Sequence, residues 1–145
     1  MRSSLAFAAI VMWASGCSFS VLAVEHAAAQ NEFPVFWKEF KSAVIAGDKS
    51  AVAEMTKFPQ SMPYGVKAVR NREEFLRRYN EIFNDESNAV QCFASAKPQK
   101  GSAARFEVYC PFKSTPKDWD NAPIRFIFEL TKSRWKFAGL DNINE

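Results

Sequence analysis

Alternating apolar and polar residues predict the strands of this chain. Every second residue of the stretch 103–112 is apolar, and a period of two places these side chains on one face of a strand. Similar alternation predicts strands over residues 89–96, 122–131 and 134–140. The polar segment 97–102 contains Pro and Gly, so we expect it to join the first two strands as a hairpin loop.

Apolar residues spaced three and four apart predict three helices. Residues 31–46 contain four aromatic side chains within eight positions, which indicates a helix buried against a sheet. A short helix over residues 49–56 follows Asp48, which is a good N-cap residue. The third helix covers residues 72–83 and begins after Asn71 in a capping-box motif.

The first 29 residues are interpreted as a secretory signal peptide. A basic start at Arg2 precedes the uncharged apolar run 5–24, and residues 27–29 form an A-x-A cleavage site. The alternative is an uncleaved membrane anchor, because the run is nearly long enough to cross a bilayer. We predict that the mature part, residues 30–145, is a single domain in the periplasm or outside the cell.

The three cysteines of the chain indicate one disulfide bond. Cys17 lies in the leading segment, where residues 14–17 loosely resemble a lipoprotein box; lipidation there would attach the protein to a membrane. Cys92 and Cys110 remain in either case, and an oxidising compartment favours a bond between them. The predicted hairpin would place them opposite each other on its apolar face. Two buried free thiols are the alternative.

Charge and histidine content exclude several function classes. The net charge of +3 is mild, and the basic residues are scattered among acidic and aromatic ones. We therefore predict no nucleic-acid partner. The single histidine, His26, belongs to the predicted signal peptide, so the mature domain has no Ser–His or Cys–His pair and no histidine-based zinc site. No cofactor, metal site or catalytic residue is predicted.

The order of the elements and two local motifs carry a family resemblance. The predicted order is helix, short helix, short strand (residues 64–69, after a loop at 58–63), helix and four antiparallel strands. The first motif is Phe36-Trp37-Lys38-Glu39-Phe40 followed by Ala46-Gly47-Asp48, and the second is Asn71-Arg72-Glu73-Glu74-Phe75. The chain resembles the nuclear transport factor two-like, or SnoaL-like, domains of the cystatin-like superfamily.

This resemblance implies an α+β fold. N-terminal helices would pack in a strongly curved four- to five-stranded antiparallel sheet, a cone with a pocket at its open end. It further implies small-ligand binding, isomerase or dehydratase chemistry, or a homodimer formed through the sheet. Fold alone does not choose among these functions.

The leading hypothesis is an exported, non-enzymatic domain that binds a small apolar molecule, a carboxylate-bearing molecule or a protein partner. The candidate ligand-binding residues are Tyr64, Tyr79, Tyr109, Arg125, Trp119 and Trp135. Arg125 interrupts an apolar strand, and its guanidinium would hold a ligand carboxylate if it faced the pocket; the alternation equally allows the solvated face. Trp119 lies between two aspartates, either as an exposed contact residue or folded over the core edge.

Two further hypotheses belong to other function classes. A pocket enzyme of the isomerase or dehydratase type would use Glu107, Glu129 or Asp118 as general acid or base beside a tyrosine. A buried carboxylate with a raised pKa would favour it. An envelope inhibitor or immunity-type protein would act through an exposed aromatic patch.

Overall fold

The structure is a computed structural model that describes residues 32–62, 68–132 and 134–144. The predicted signal peptide with Cys17, the candidate Tyr64 and most of the strand predicted at residues 64–69 lie outside the described residues. No helix within the described ranges is long and apolar enough to cross a membrane.

Five helices and five strands make up the described part. The helices are α1 (Phe33–Ala46), α2 (Lys49–Glu54), α3 (Arg72–Arg77), α4 (Tyr79–Asn84) and α5 (Ala89–Ser95). The strands are β1 (Thr56–Ser61), β2 (Gln99–Ser102), β3 (Arg105–Cys110), β4 (Ile124–Thr131) and β5 (Arg134–Asn142). They form one sheet in the order β1-β5-β4-β3-β2. The predicted α+β fold, with helices packed against a five-stranded sheet, is confirmed.

One edge of the sheet differs from the antiparallel prediction. The pairs from β2 to β5 are antiparallel, whereas β1 pairs with β5 in parallel. The predicted loop at residues 58–63 is therefore wrong, because β1 covers most of it. Pro59 made this segment look like a loop, but an edge strand tolerates proline because one side of it donates no ladder hydrogen bond. Gln60, which follows Pro59, is buried and forms an isolated β-bridge with Val69.

Helix α1 packs its aromatic side chains against the inner face of the sheet. Pro34 lies in the first turn, where its missing N–H is not needed, and Gly47 ends the helix with a φ of 69°. Phe40 is fully buried, and its ring centroid lies 5.1 Å from that of Phe128 and 5.4 Å from that of Phe137. The helix predicted from its clustered aromatic residues is thus confirmed.

Both predicted N-caps are present. Asp48 accepts a hydrogen bond from the backbone N–H of Ala51 at 3.0 Å, and Asn71 accepts one from Glu74 at 2.9 Å. The Glu74 carboxylate reaches back to the backbone N–H of Arg70, one residue before the cap. The helix that follows Asn71 is shorter than predicted, because it ends at Arg77 and a separate helix, α4, continues from Tyr79.

Residues 89–95 form a helix, where a strand was predicted over residues 89–96. Asn88 caps α5 by accepting a hydrogen bond from the backbone N–H of Gln91 at 3.1 Å. Strand β3 pairs with β2 and β4 instead, so the predicted hairpin is wrong. Cys92 and Cys110 are nevertheless joined by a disulfide bond with a Cα–Cα distance of 5.7 Å, which ties α5 to β3.

The two faces of the sheet have different chemistry. Inner-facing residues such as Val108, Phe126 and Phe128 are fully buried under the helices. The alternate residues of the same strands, among them Glu107 and Arg125, lie on the opposite, outer face. The predicted in–out alternation of β3 and β4 is therefore correct, and it places a set of polar side chains on the outer face.

Candidate functional site

The candidate site lies on both sides of Trp119, where α5 faces the loop between β3 and β4. Two cavities of about 130 Å³ and 300 Å³ occur here, and both are lined by Trp119 and Ser95. We call these two cavities together the Trp119 groove. The smaller cavity is also lined by Asn88, Gln91, Cys92, Pro111, Phe112, Pro116 and Lys117. The larger one is also lined by Ala96, Lys97, Gln99, Tyr109 and Ala122.

The walls of the groove are held by covalent and hydrogen bonds. The disulfide fixes α5 on the strand that leads into the loop. The backbone N–H of Lys113 donates to the carbonyl of Glu86 at 2.7 Å, and its Nζ donates to the carbonyl of Asn84 at 2.8 Å. A turn closes where the N–H of Asp118 donates to the carbonyl of Thr115. These contacts present Trp119 on a loop anchored at its start.

Trp119 itself is 45% exposed. Both Trp37 and Trp135 are buried, at 7% and 4% exposure. An exposed indole at the junction of two cavities offers a large rigid surface that loses little conformational entropy on binding. The ring of Trp119 is therefore exposed to solvent, and its role as a contact residue stays a prediction.

Polar side chains of the groove are open to a ligand. Five of them are exposed and have no hydrogen-bond or ion-pair partner within the described part of the chain: Gln91, Ser95, Lys97, Gln99 and Lys117. Two are lysines, and none of the described residues that line the groove is acidic. The groove therefore combines one exposed aromatic ring, neutral hydrogen-bonding groups and positive charge.

Tyr109 connects the groove to a network of ions on the outer face of the sheet. Its hydroxyl donates to Oε2 of Glu107 at 2.6 Å. The other oxygen of Glu107 accepts a hydrogen bond from Nε of Arg105 at 2.7 Å. Arg125 stands opposite Tyr109 in the register and binds Asp141 through two hydrogen bonds of 2.9 Å and 2.6 Å.

The network sets the protonation states of its members. Burial raises the pKa of Glu107, but the hydrogen bonds from Tyr109 and Arg105 and the charge of Arg125 outweigh burial, so the net shift is downward. Burial and the hydrogen bond to Glu107 raise the pKa of Tyr109. The pKa of Arg125 is raised chiefly by its hydrogen bonds to Asp141. At neutral pH, Glu107 is therefore an anion and Tyr109 keeps its proton.

The structure brings two of the six candidate residues into one site. Tyr109 and Trp119 both line the larger cavity of the groove. Arg125 lies on the outer face and its guanidinium is paired with Asp141, so it does not face the helices. This is the solvated-face alternative that the alternation allowed.

The other candidates lie elsewhere. Tyr79 is buried in the core at 4% exposure; its hydroxyl has no hydrogen-bond partner among the described residues, and burial raises its pKa to about 12. Trp135 is buried beneath a separate cleft of about 500 Å³ beside the first turn of α1. This cleft is also lined by Glu32, Val35, Phe36, Glu39, Glu54, Met55, Arg134 and Lys136. Tyr64 lies outside the described residues.

Aromatic rings fill the space between α1 and the sheet, where the resemblance implies a pocket. On α1, the ring of Phe33 stacks on that of Phe106 at 3.9 Å, and Trp37 meets Phe128 edge to face at 5.5 Å. A cavity of about 50 Å³ beside Ile124 and Leu140 has room for a few water molecules only. Within the described ranges, no cluster of His, Cys, Asp or Glu could hold a metal ion.

Sequence reasoning missed the α5 side of the groove. Asn88, Gln91, Cys92 and Ser95 follow a spacing of three, one and three, which places them on one face of a helix. This signal was present in the sequence, but the prediction of a strand over the same residues concealed it. The contribution of Lys97 and Gln99 depends on how the chain leaves α5, which no local pattern indicates.

Comparisons with known proteins add structural likeness only. No family model and no curated protein sequence matches the chain. One similar structure is a hexachlorocyclohexane dehydrochlorinase from Novosphingobium barchaimii, with 11% identity, a TM-score of 0.44, and coverage of 82% of this chain and 88% of that chain. A nuclear transport factor two-like protein of unknown function from Shewanella oneidensis has 15% identity and a TM-score of 0.42, covering 77% of this chain and 95% of that chain.

A third similar structure is a ketosteroid isomerase-like protein from Erwinia carotovora. It has 14% identity and a TM-score of 0.42, and the match covers 85% of this chain and 95% of that chain. At these identities and TM-scores, the likeness assigns no activity to the chain.

Proposed function

We propose that the chain is an exported, non-enzymatic binding domain whose ligand occupies the Trp119 groove. The observation that carries this proposal is the exposed ring of Trp119 at the junction of two cavities. Binding sites typically combine apolar surface with a few polar groups that fix the orientation of the ligand. Here the ring supplies the surface, and side chains such as Gln91 and Gln99 supply the polar groups.

The charge state of Glu107 argues against its use as a general acid. Of the three candidate carboxylates, it is the one hydrogen-bonded to a tyrosine. A general acid at neutral pH needs a raised pKa, whereas the pKa of Glu107 is lowered. Glu129 is paired with Lys57, and Asp118 accepts a hydrogen bond from the backbone N–H of Asn121. These contacts favour structural roles.

Export is supported by the pairing of Cys92 with Cys110. Disulfide bonds persist in oxidising compartments and are rare in the cytosol. Intact-protein mass spectrometry of material from the cell envelope would test export. We expect a chain that begins at Gln30 and has lost two protons to the disulfide. A full-length chain with two free thiols would contradict export.

The binding proposal is tested by native mass spectrometry and fluorescence on the same envelope-purified protein. We expect a co-purified small molecule, and we expect its removal and return to change the tryptophan emission. Trp119→Ala should abolish both effects, whereas Trp135→Phe, at a buried position outside the groove, should leave them unchanged. Equal retention of ligand by the wild type and Trp119→Ala would contradict the proposal.

The inhibitor hypothesis makes a different prediction for the same sample. A protein partner would appear as a complex whose mass exceeds that of the domain by a whole subunit. A homodimer through the outer face of the sheet stays a prediction as well, and light scattering at several protein concentrations tests it. Both measurements, the mass of a complex with a partner and the light scattering of a homodimer, are independent of whether Trp119→Ala loses a small molecule.

A further inference from the structure

We propose that the ligand of the Trp119 groove is an acidic oligosaccharide, a glycan whose sugar rings carry carboxylates. This inference rests on the proposed function, because it takes the groove to be the binding site. It adds the chemical class of the ligand, which follows from three properties of the groove: the exposed ring, the hydrogen-bonding side chains and the sign of the charge.

The exposed ring suits the face of a sugar. The face of an indole carries negative quadrupole charge, and the C–H groups on one side of a pyranose ring are partially positive. A sugar can therefore stack on Trp119 while its hydroxyls point to the sides. Because Trp119 lines both cavities, a chain of sugars can run past the ring from one cavity into the other.

The neutral side chains suit hydroxyl groups. The Gln91, Ser95 and Gln99 side chains have no hydrogen-bond partner in the described structure, and they lie on both sides of Trp119. Amide side chains both donate and accept, as a sugar hydroxyl does. A purely apolar ligand would remove these groups from water without replacing their hydrogen bonds, which is unfavourable.

The charges of the groove select for an anion. Lys117 lines the smaller cavity and Lys97 the larger one, and neither has an ion-pair partner in the described part. Asp118 and Asp120 are neighbours of Trp119 in the chain but do not line either cavity. A glycan with a carboxylate on each side of the stacked ring would meet one lysine in each cavity.

The experiment measures binding of defined glycans to the purified oxidised protein. The acidic probes are oligosaccharides of polygalacturonate, alginate and hyaluronan; the neutral probes are oligosaccharides of cellulose and chitin. Quenching of the exposed tryptophan and isothermal calorimetry report the dissociation constants. We expect at least one acidic probe to bind and to bind more weakly as salt is raised.

Three variants separate the ring from the charges. Trp119→Ala should weaken binding of that probe about tenfold or more. Lys97→Gln and Lys117→Gln should each weaken it about two- to fivefold and reduce the salt dependence. Lys38→Gln is the matched control, because Lys38 is exposed on α1 and lines neither cavity of the groove; the affinity of this variant should equal that of the wild type.

Three outcomes would overturn the inference. The first is that no acidic probe binds at millimolar concentration. The second is that neutral probes bind as tightly as acidic ones. The third is that the lysine variants bind like the wild type. If a co-purified molecule of another class still requires Trp119, the proposed function stands and only the glycan inference fails.

Discussion

Reduction of the Cys92–Cys110 disulfide should destabilise the fold by a predictable amount. The bond joins α5 to β3 across a sequence separation of 18 residues. Closing a loop of this length removes conformational entropy from the unfolded chain, worth about 3 kcal/mol. Both sulfurs are buried, with Cys92 at 4% and Cys110 at 0% exposure, and the free thiols keep nearly the same volume in the core. Reduction therefore isolates the cross-link from packing.

Urea unfolding of the whole protein, with and without reductant, measures this difference. For a domain of this size, about 3 kcal/mol corresponds to a fall in the melting temperature of roughly 10 to 15 °C. The double variant Cys92→Ala/Cys110→Ala should be at least as unstable as the reduced protein, because it also loses two buried sulfur atoms. Since the bond also holds one wall of the Trp119 groove, ligand affinity should fall on reduction.

Three results would contradict the expected stabilisation by the Cys92–Cys110 disulfide. The first is that the oxidised and reduced wild type have equal free energies of unfolding, to within about 0.5 kcal/mol. A loss confined to the double alanine variant would assign the effect to packing in the core. A thiol count of two in the untreated protein would show that the bond does not form.

Three other changes test separate features by urea unfolding. Gly139→Ala should lose about 1–3 kcal/mol, because its Cβ would lie 2.7 Å from the backbone oxygen of Ser61; Gly101→Ala, whose nearest atom is 3.5 Å away, is the control and should be near neutral. The lowered pKa of Glu107 stabilises the fold above the ordinary value of 4.5, and this stability is lost as the pH falls through the folded-state pKa. Glu107→Gln should therefore be less stable at pH 7 and lose less stability on acidification than the wild type; parallel pH curves would contradict this. Gln60→Met should gain about 1 kcal/mol, because both amide atoms of Gln60 are buried without a hydrogen-bond partner in the described part of the chain, and a loss would indicate a buried water molecule.

The elements that the sequence predicted well are those with a strong local signal. Helix α1 has a long apolar stripe, a proline in its first turn and a glycine at its end. The caps Asp48 and Asn71 need only residues within three positions. Strands β3, β4 and β5 alternate over six or more residues, so the residues that share a face of each strand could be predicted directly.

The wrong predictions come from short segments. Residues 89–95 contain three apolar core-type residues, Val90, Cys92 and Phe93, together with small alanines. Such a short run fits either a strand or a helix. The N-cap Asn88 was the deciding signal, because its side chain bonds the N–H three residues on. β1 was missed because its partner, β5, is about 80 residues away in the chain and pairs in parallel.

The candidate site was predictable only in part, because the residues that form it lie far apart in the chain. Trp119 stands out as an aromatic residue between two aspartates, but its neighbours in the groove come from α5, from the start of β2 and from the loop after β3. No pattern within one segment shows that these three meet. Alternation could not decide the position of Arg125 either. A period of two shows which residues share a face of the strand, but not which face the helices cover.

The location of the groove follows from the way the core is filled. The aromatic residues that mark α1 in the sequence occupy the volume between helix and sheet: Phe40 lies within 6.3 Å of Phe83 and within 5.1 Å of Phe128, measured between ring centroids. Rings packed at such distances leave little space for a ligand, and exchanging them for one would open cavities that cost stability. Ligand binding can then use surface side chains whose removal lowers the free energy of unfolding less than the removal of a core ring. Trp119, half exposed on a loop that begins beside the disulfide, is such a residue, and for that reason Trp119→Ala should lower affinity while reducing the free energy of unfolding less than Phe40→Ala does.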